Sequence, residues 1–113
     1  MSWATKYIEE LQFGNIVQFR PRGNSMEGRI FSGQLVTVEP ILVRTIIDEH
    51  NEEIKLTIIN VNDIVLCKVN GKQYLHLVTA KRGNQFQISN NKGHVNGWIT
   101  INSIFGKCVK IED

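Results

Sequence analysis

The chain has 113 residues and a formal net charge of +2, with 42% hydrophobic and 21% charged residues. These values suit one globular domain with its own core and exclude a disordered segment. They also argue against nucleic acid as a partner, because binders of that class concentrate Lys and Arg in a stripe, whereas Arg20, Arg22 and Arg29 are interrupted by Glu27.

At the N-terminus Ser2 is a candidate helix N-cap. Trp3, Tyr7, Ile8 and Leu11 fall on one helical face, which predicts a short amphipathic helix within residues 1–14. Lys6, Glu9 and Glu10 stand where a signal peptide needs an apolar core. No stretch reaches the ~20 apolar residues of a membrane span. A cytoplasmic chain with no membrane association is expected.

Residues 15–113 read as a β core. Strands are predicted over residues 16–19 and 34–38, each followed by a proline, and a hairpin joins residues 41–47 to 54–59. Asn70-Gly71 separates residues 63–69 from 72–80 and is a strong two-residue turn signal, since a type I′ turn needs positive φ twice. Pairing outward from it sets Val69 against Lys72, Cys67 against Tyr74 and Val65 against His76. Alternation then puts Tyr74, His76, Val78 and Ala80 on one face, with Lys81 on the other. Residues 85–89 pair back across Arg82-Gly83-Asn84, and residues 101–111 supply the closing strands. Short strands at this spacing predict a mainly β, closed or partly closed barrel-like sheet. Cys67 and Cys108 lie far apart in apolar runs without a CxxC, as buried structural thiols do. His50 and His94 stand in polar loops without ligand spacing, so no metal or other cofactor is expected.

One segment carries chemistry: Arg22-Gly23-Asn24-Ser25-Met26-Glu27-Gly28-Arg29-Ile30-Phe31-Ser32-Gly33-Gln34-Leu35-Val36-Thr37-Val38. Gly23 permits a sharp turn that presents Ser25 at the mouth of a cleft. Backbone N–H groups of the Gly23, Asn24 and Met26 turn could then stabilise an oxyanion. Taken alone, Gly-Asn-Ser also fits an ordinary turn. The whole segment resembles the nucleophile box of the LexA-like and signal-peptidase-like serine peptidases: Gly-x-Ser-Met, an apolar turn, then Gly-Asp-x-Val-x-Val. Further on, Asp63-Ile64-Val65-Leu66 is similar to that family's second Gly-Asp-x-Val strand. Residues 88–93 with Gly97-Trp98-Ile99 resemble its Gly-Asp-Asn-Asn region, and residues 104–109 its closing strand.

The resemblance implies a peptidase fold with Ser25 as nucleophile. It places the general base on the strand at residues 72–80, where the LexA-like branch has lysine and one signal-peptidase branch histidine. His76 matches that position and, with a reference pKa near 6.5, is largely neutral at pH 7. Lys81 and Lys68 are alternative bases. No Asp or Glu lies between His76 and Glu112, so Asn90 or Asn91 is expected to orient the imidazole, as an asparagine does in papain-like enzymes. The box departs from the pattern at Glu27-Gly28 and Gln34, and Asn62 replaces the glycine before Asp63. A helix-turn-helix module and an Ala-Gly self-cleavage bond are missing, which argues against a self-cleaving repressor.

Three functions follow. The first is a soluble serine peptidase acting on an extended peptide or protein substrate with small residues at the scissile bond. The second is a degenerate domain that keeps the groove and only binds. The third is a small β-barrel contacting phosphate through Arg20, Arg22, Arg29, Lys81 and Arg82. The resemblance also implies a homodimer formed through the last strand.

Overall fold

The computed structural model describes residues 3–41, 44–47, 49–50, 53–56 and 59–113. Helix α1 covers Thr5–Gln12. Ser2 lies outside the described residues, and the N-cap is Ala4, which has no side-chain cap. Its N–H instead donates to Gln73 Oε1 at 2.7 Å, so a strand side chain serves the helix end. The helix buries Ile8 and Leu11 and keeps Tyr7 at the margin of the core. That is the predicted face, with Trp3 preceding the helix.

Among the described residues nine strands follow: β1 (Val17–Phe19), β2 (Leu35–Pro40), β3 (Arg44–Ile47), β4 (Glu53–Leu56), β5 (Ile64–Val69), β6 (Lys72–Arg82), β7 (Gln85–Ser89), β8 (Val95–Thr100) and β9 (Ile104–Glu112). Strands β3 and β4 form a separate hairpin, and the others form one antiparallel sheet ordered β1-β2-β9-β5-β6-β7-β8. The expected barrel closure is corrected here. The terminal strands β1 and β8 do not pair with each other, so the sheet stays open. Helix α1 lies over one face with Ile8, Leu11, Val17, Phe19, Met26, Val36, Leu66 and Leu75. Val65, Cys67, Val78, Phe86, Ile88 and Ile104 gather on the other. Each face thus closes its own core without a closed ring of strands.

The β5–β6 turn forms as predicted, with φ of 51° at Asn70 and 81° at Gly71. Val69↔Lys72, Cys67↔Tyr74 and Val65↔His76 are all paired. Strand β6 then departs from simple alternation. Val78 pairs with Ile88 and Ala80 with Gln87, so Thr79 is a bulged extra residue. The slip turns Ala80 away from the His76 face and brings Lys81, opposite Phe86, onto it, the reverse of the predicted faces. Strand β8 was not anticipated in the sequence. It too carries a bulge, since Ile88 pairs with Gly97 and Ser89 with Val95, leaving Asn96 unpaired.

Among the described residues, two strands inside the sheet also leave part of an edge unpaired. Val78 exchanges bonds with the β5 side, its N–H to Asp63 O and its C=O from Asn62 N–H, both 2.8 Å. By alternation, Gln73 and Leu75 aim their backbone groups the other way. There β7 reaches only to Leu77, so the edge at Leu75 is free. Similarly, β5 pairs β9 only as far as Lys107, and Cys108–Glu112 bonds to β2 alone.

Candidate active site at the Ser25 loop

The segment between β1 and β2 is a tight loop held by its own backbone. Glu27 N–H donates to Asn24 O (3.2 Å), Arg29 and Ile30 N–H to Met26 O (2.9 and 2.8 Å), and Gly33 N–H to Pro21 O (3.1 Å). Met26 and Ile30 anchor it in the core, at 5% and 4% exposure. Gly23 has φ of 105°, which side-chain-bearing residues adopt rarely. Ser25 stands exposed above this anchored base. Among the described residues no backbone bond has the N–H of Asn24, Ser25 or Met26 as its donor, as an oxyanion site requires.

Ser25 Oγ lies 3.2 Å from His76 Nε2, well within the ~4 Å expected of a substrate-free dyad. His76 is buried at 6% exposure, and its other ring nitrogen, Nδ1, lies 2.7 Å from Asn96 Oδ1. An amide oxygen only accepts, so Nδ1 carries the proton. Nε2 therefore presents a lone pair to the serine hydroxyl, the tautomer a general base requires. Burial pushes the imidazole pKa below its ordinary value of 6.5. The Asn96 bond pulls it up, and nearby His94 pushes it down again. Tyr74 packs beside the ring at 4.7 Å between centroids, tilted by 30°.

The orienting residue is Asn96, and the expectation of Asn90 or Asn91 is corrected. Asn90 turns its Oδ1 back to accept from Lys92 and His94 N–H, each at 2.9 Å. Asn91 braces the serine loop. Its N–H donates to Ser25 O at 2.9 Å, its Nδ2 donates to Glu27 O at 2.8 Å, and its Oδ1 accepts from Arg29 Nε at 2.8 Å. The bulge at Asn96 frees that residue from the ladder, which is how bulges re-aim a side chain. No sequence signal marked it, because the strand itself was missed.

The alternative bases are engaged elsewhere. Lys81 Nζ donates to Ile59 O at 3.0 Å and lies 5.5 Å above the Phe86 ring. Lys68 Nζ lies 5.9 Å from the Phe105 ring centroid. Arg82 stacks over Trp98 at 5.3 Å, so Lys81 and Arg82 sit at the far end of β6 from Ser25. A cleft of about 160 Å³ opens over the dyad, lined among others by Gly23, Ser25, Met26, Phe31, Leu75 and His76. The free edge of β6 at Leu75 forms one wall. The departure at Asn62 is accommodated, because its φ is 79° and asparagine tolerates that region better than most residues.

No protein-family model matches the chain, and no curated protein matches it. Among the described residues no helix is long and apolar enough to cross a membrane.

Proposed function

We propose that the chain is a serine peptidase of the LexA-like and signal-peptidase-like type, with Ser25 as nucleophile and His76 as general base. The observation that carries this reading is the Ser25 Oγ–His76 Nε2–Nδ1–Asn96 chain of contacts at 3.2 and 2.7 Å. A substrate strand adds to the free edge at Leu75 and sets its carbonyl carbon before Ser25. As Oγ bonds to that carbon, its proton passes to Nε2. The carbonyl oxygen becomes an oxyanion facing the N–H groups of the Ser25 turn. The tetrahedral intermediate collapses, and Nε2 returns the proton to the leaving amine. Water, deprotonated by the same nitrogen, then hydrolyses the acyl-enzyme.

A second reading, a domain that binds peptides without cleaving them, is favoured by one observation. The group behind His76 is an amide, which orients the ring without stabilising imidazolium as a carboxylate does. Turnover of extended peptides decides between the two. In the peptidase, Ser25→Ala abolishes cleavage and changes stability by less than ~1 kcal/mol, since the hydroxyl is exposed. Cleavage that survives this change, or never occurs in the unaltered chain, removes the peptidase reading.

A further inference from the structure

A second cleft abuts the first. It has a volume of about 410 Å³ and is lined by Trp3, Tyr7, Phe19, Arg20, Pro21 and Arg22. Trp3, Pro21 and Arg22 also line the Ser25 cleft, so the two meet across the Trp3 indole. The inner wall is aromatic. Tyr7 stacks on Phe19 at 4.5 Å, and Trp3 tilts against Phe19 at 5.6 Å. Arg20 and Arg22 stand exposed at the rim. Arg20 Nη1 is fixed by Gly33 O at 2.8 Å, which leaves further guanidinium donors open.

The charges here are unbalanced. Three other cations among the described residues have carboxylate partners: Lys92 with Glu27, Lys107 with Asp63, and Lys110 with Glu112. Neither Arg20 nor Arg22 forms an ion pair with a described residue, and no Asp or Glu lines either cleft. Trp3 also fixes the path of a bound strand. Its Nε1 donates to Gln73 O at 3.4 Å, which closes the free edge of β6 beyond Leu75. A peptide pairing at Leu75 would leave the ladder there, beside the aromatic cleft that Arg20 and Arg22 also line.

We infer that this cleft makes the site selective for extended peptides carrying an Asp or Glu side chain beside a bulky apolar one, at one register from the residue facing Ser25. The inference rests on the reading of the Ser25 cleft as a peptide site, and it names which peptides enter. Carboxylate and guanidinium geometries match in a paired fork, and an aromatic wall accepts the apolar neighbour.

The test uses random peptides displayed on phage, selected on the full chain carrying Ser25→Ala, alone and combined with Arg22→Gln or Arg22→Glu. Arg22 is chosen because it has no hydrogen-bond or ion-pair role in the loop, whereas Arg20 also holds Gly33. Selection should enrich Asp or Glu next to an aromatic or aliphatic residue. Replacing that acid by its amide should weaken binding about fivefold, as should Arg22→Gln. Arg22→Glu should enrich Lys or Arg at the same register. Peptides without acidic enrichment, or with enrichment unchanged by Arg22→Gln, overturn the inference and leave the peptide site standing. Acidic peptides that bind but are not cut by the unaltered chain overturn the peptidase reading and leave the selectivity standing. Recovery of no peptide at all removes both.

Discussion

The imidazole of His76 is buried and held by the Asn96 amide, and its burial sets its pH behaviour. Its pKa lies below 6.5, so the neutral, proton-accepting ring persists further into acid than a free histidine would. The acid limb of kcat/KM should therefore fall below pH 6.5. Asn96→Asp should move that limb upward, because an adjacent carboxylate favours imidazolium. Asn96→Ala should cost about tenfold in kcat, the value of one ring-orienting hydrogen bond, with little change in KM. A pH–rate profile of the three proteins checks all of this, and an unshifted limb in Asn96→Asp would remove Asn96 from the site. The approach of Ser25 to His76 was legible in the sequence: the first sits in a segment that resembles a nucleophile box, the second on a strand whose register a turn had fixed. Asn96 was not legible. It acts through a bulge, and bulges leave no periodic trace.

At the scale of elements, local turn chemistry carried most of the information. Asn70-Gly71 set six cross-strand pairs of β5 and β6, Ile64↔Leu77 through Val69↔Lys72. Alternation failed one turn of pleat later, at Thr79, where three hydroxyl contacts accompany the extra residue: 2.9 Å to Gln87 Oε1, 3.5 Å to Gln87 O and 2.8 Å to Ser89 Oγ. Strand β8 escaped notice because Asn96 and Gly97 are poor strand formers. Packing of α1 on the sheet depends on another residue without a side chain. A Cβ at Gly106 would meet Val38 Cγ1 at 2.6 Å, Glu39 O at 2.8 Å and Leu11 Cδ1 at 2.9 Å. Gly106→Ala should thus force α1 off β9 and β2 and lower stability by ~1–3 kcal/mol. Chemical denaturation measures this, and a loss under ~0.5 kcal/mol would show that the helix yields freely.

The whole molecule divides its apolar residues between two faces of an open sheet, and its thiols report on that division. Cys67 is fully buried, and burial raises its pKa from 9.0 to about 12. In the unfolded chain the thiol ionises near 9.0, whereas in the fold it stays protonated until about 12. Stability should therefore decline as pH rises above 9, and Cys67→Ser should flatten that decline. Cys67 should also resist alkylation in the native protein at pH 8, and rapid labelling there would contradict its burial. The mainly β class and the N-terminal helix could be read from the chain. The open sheet could not, because strand spacing counts strands without saying whether the first meets the last. One feature reaches beyond the cleft. Asn91 braces the backbone of Ser25 while Asn96, five positions on, contacts His76, so residues 90–96 hold both members of the candidate dyad. If the proposed peptidase activity holds, an antibody or small molecule seated on that loop should act as a noncompetitive inhibitor, lowering the maximal rate while substrate still docks.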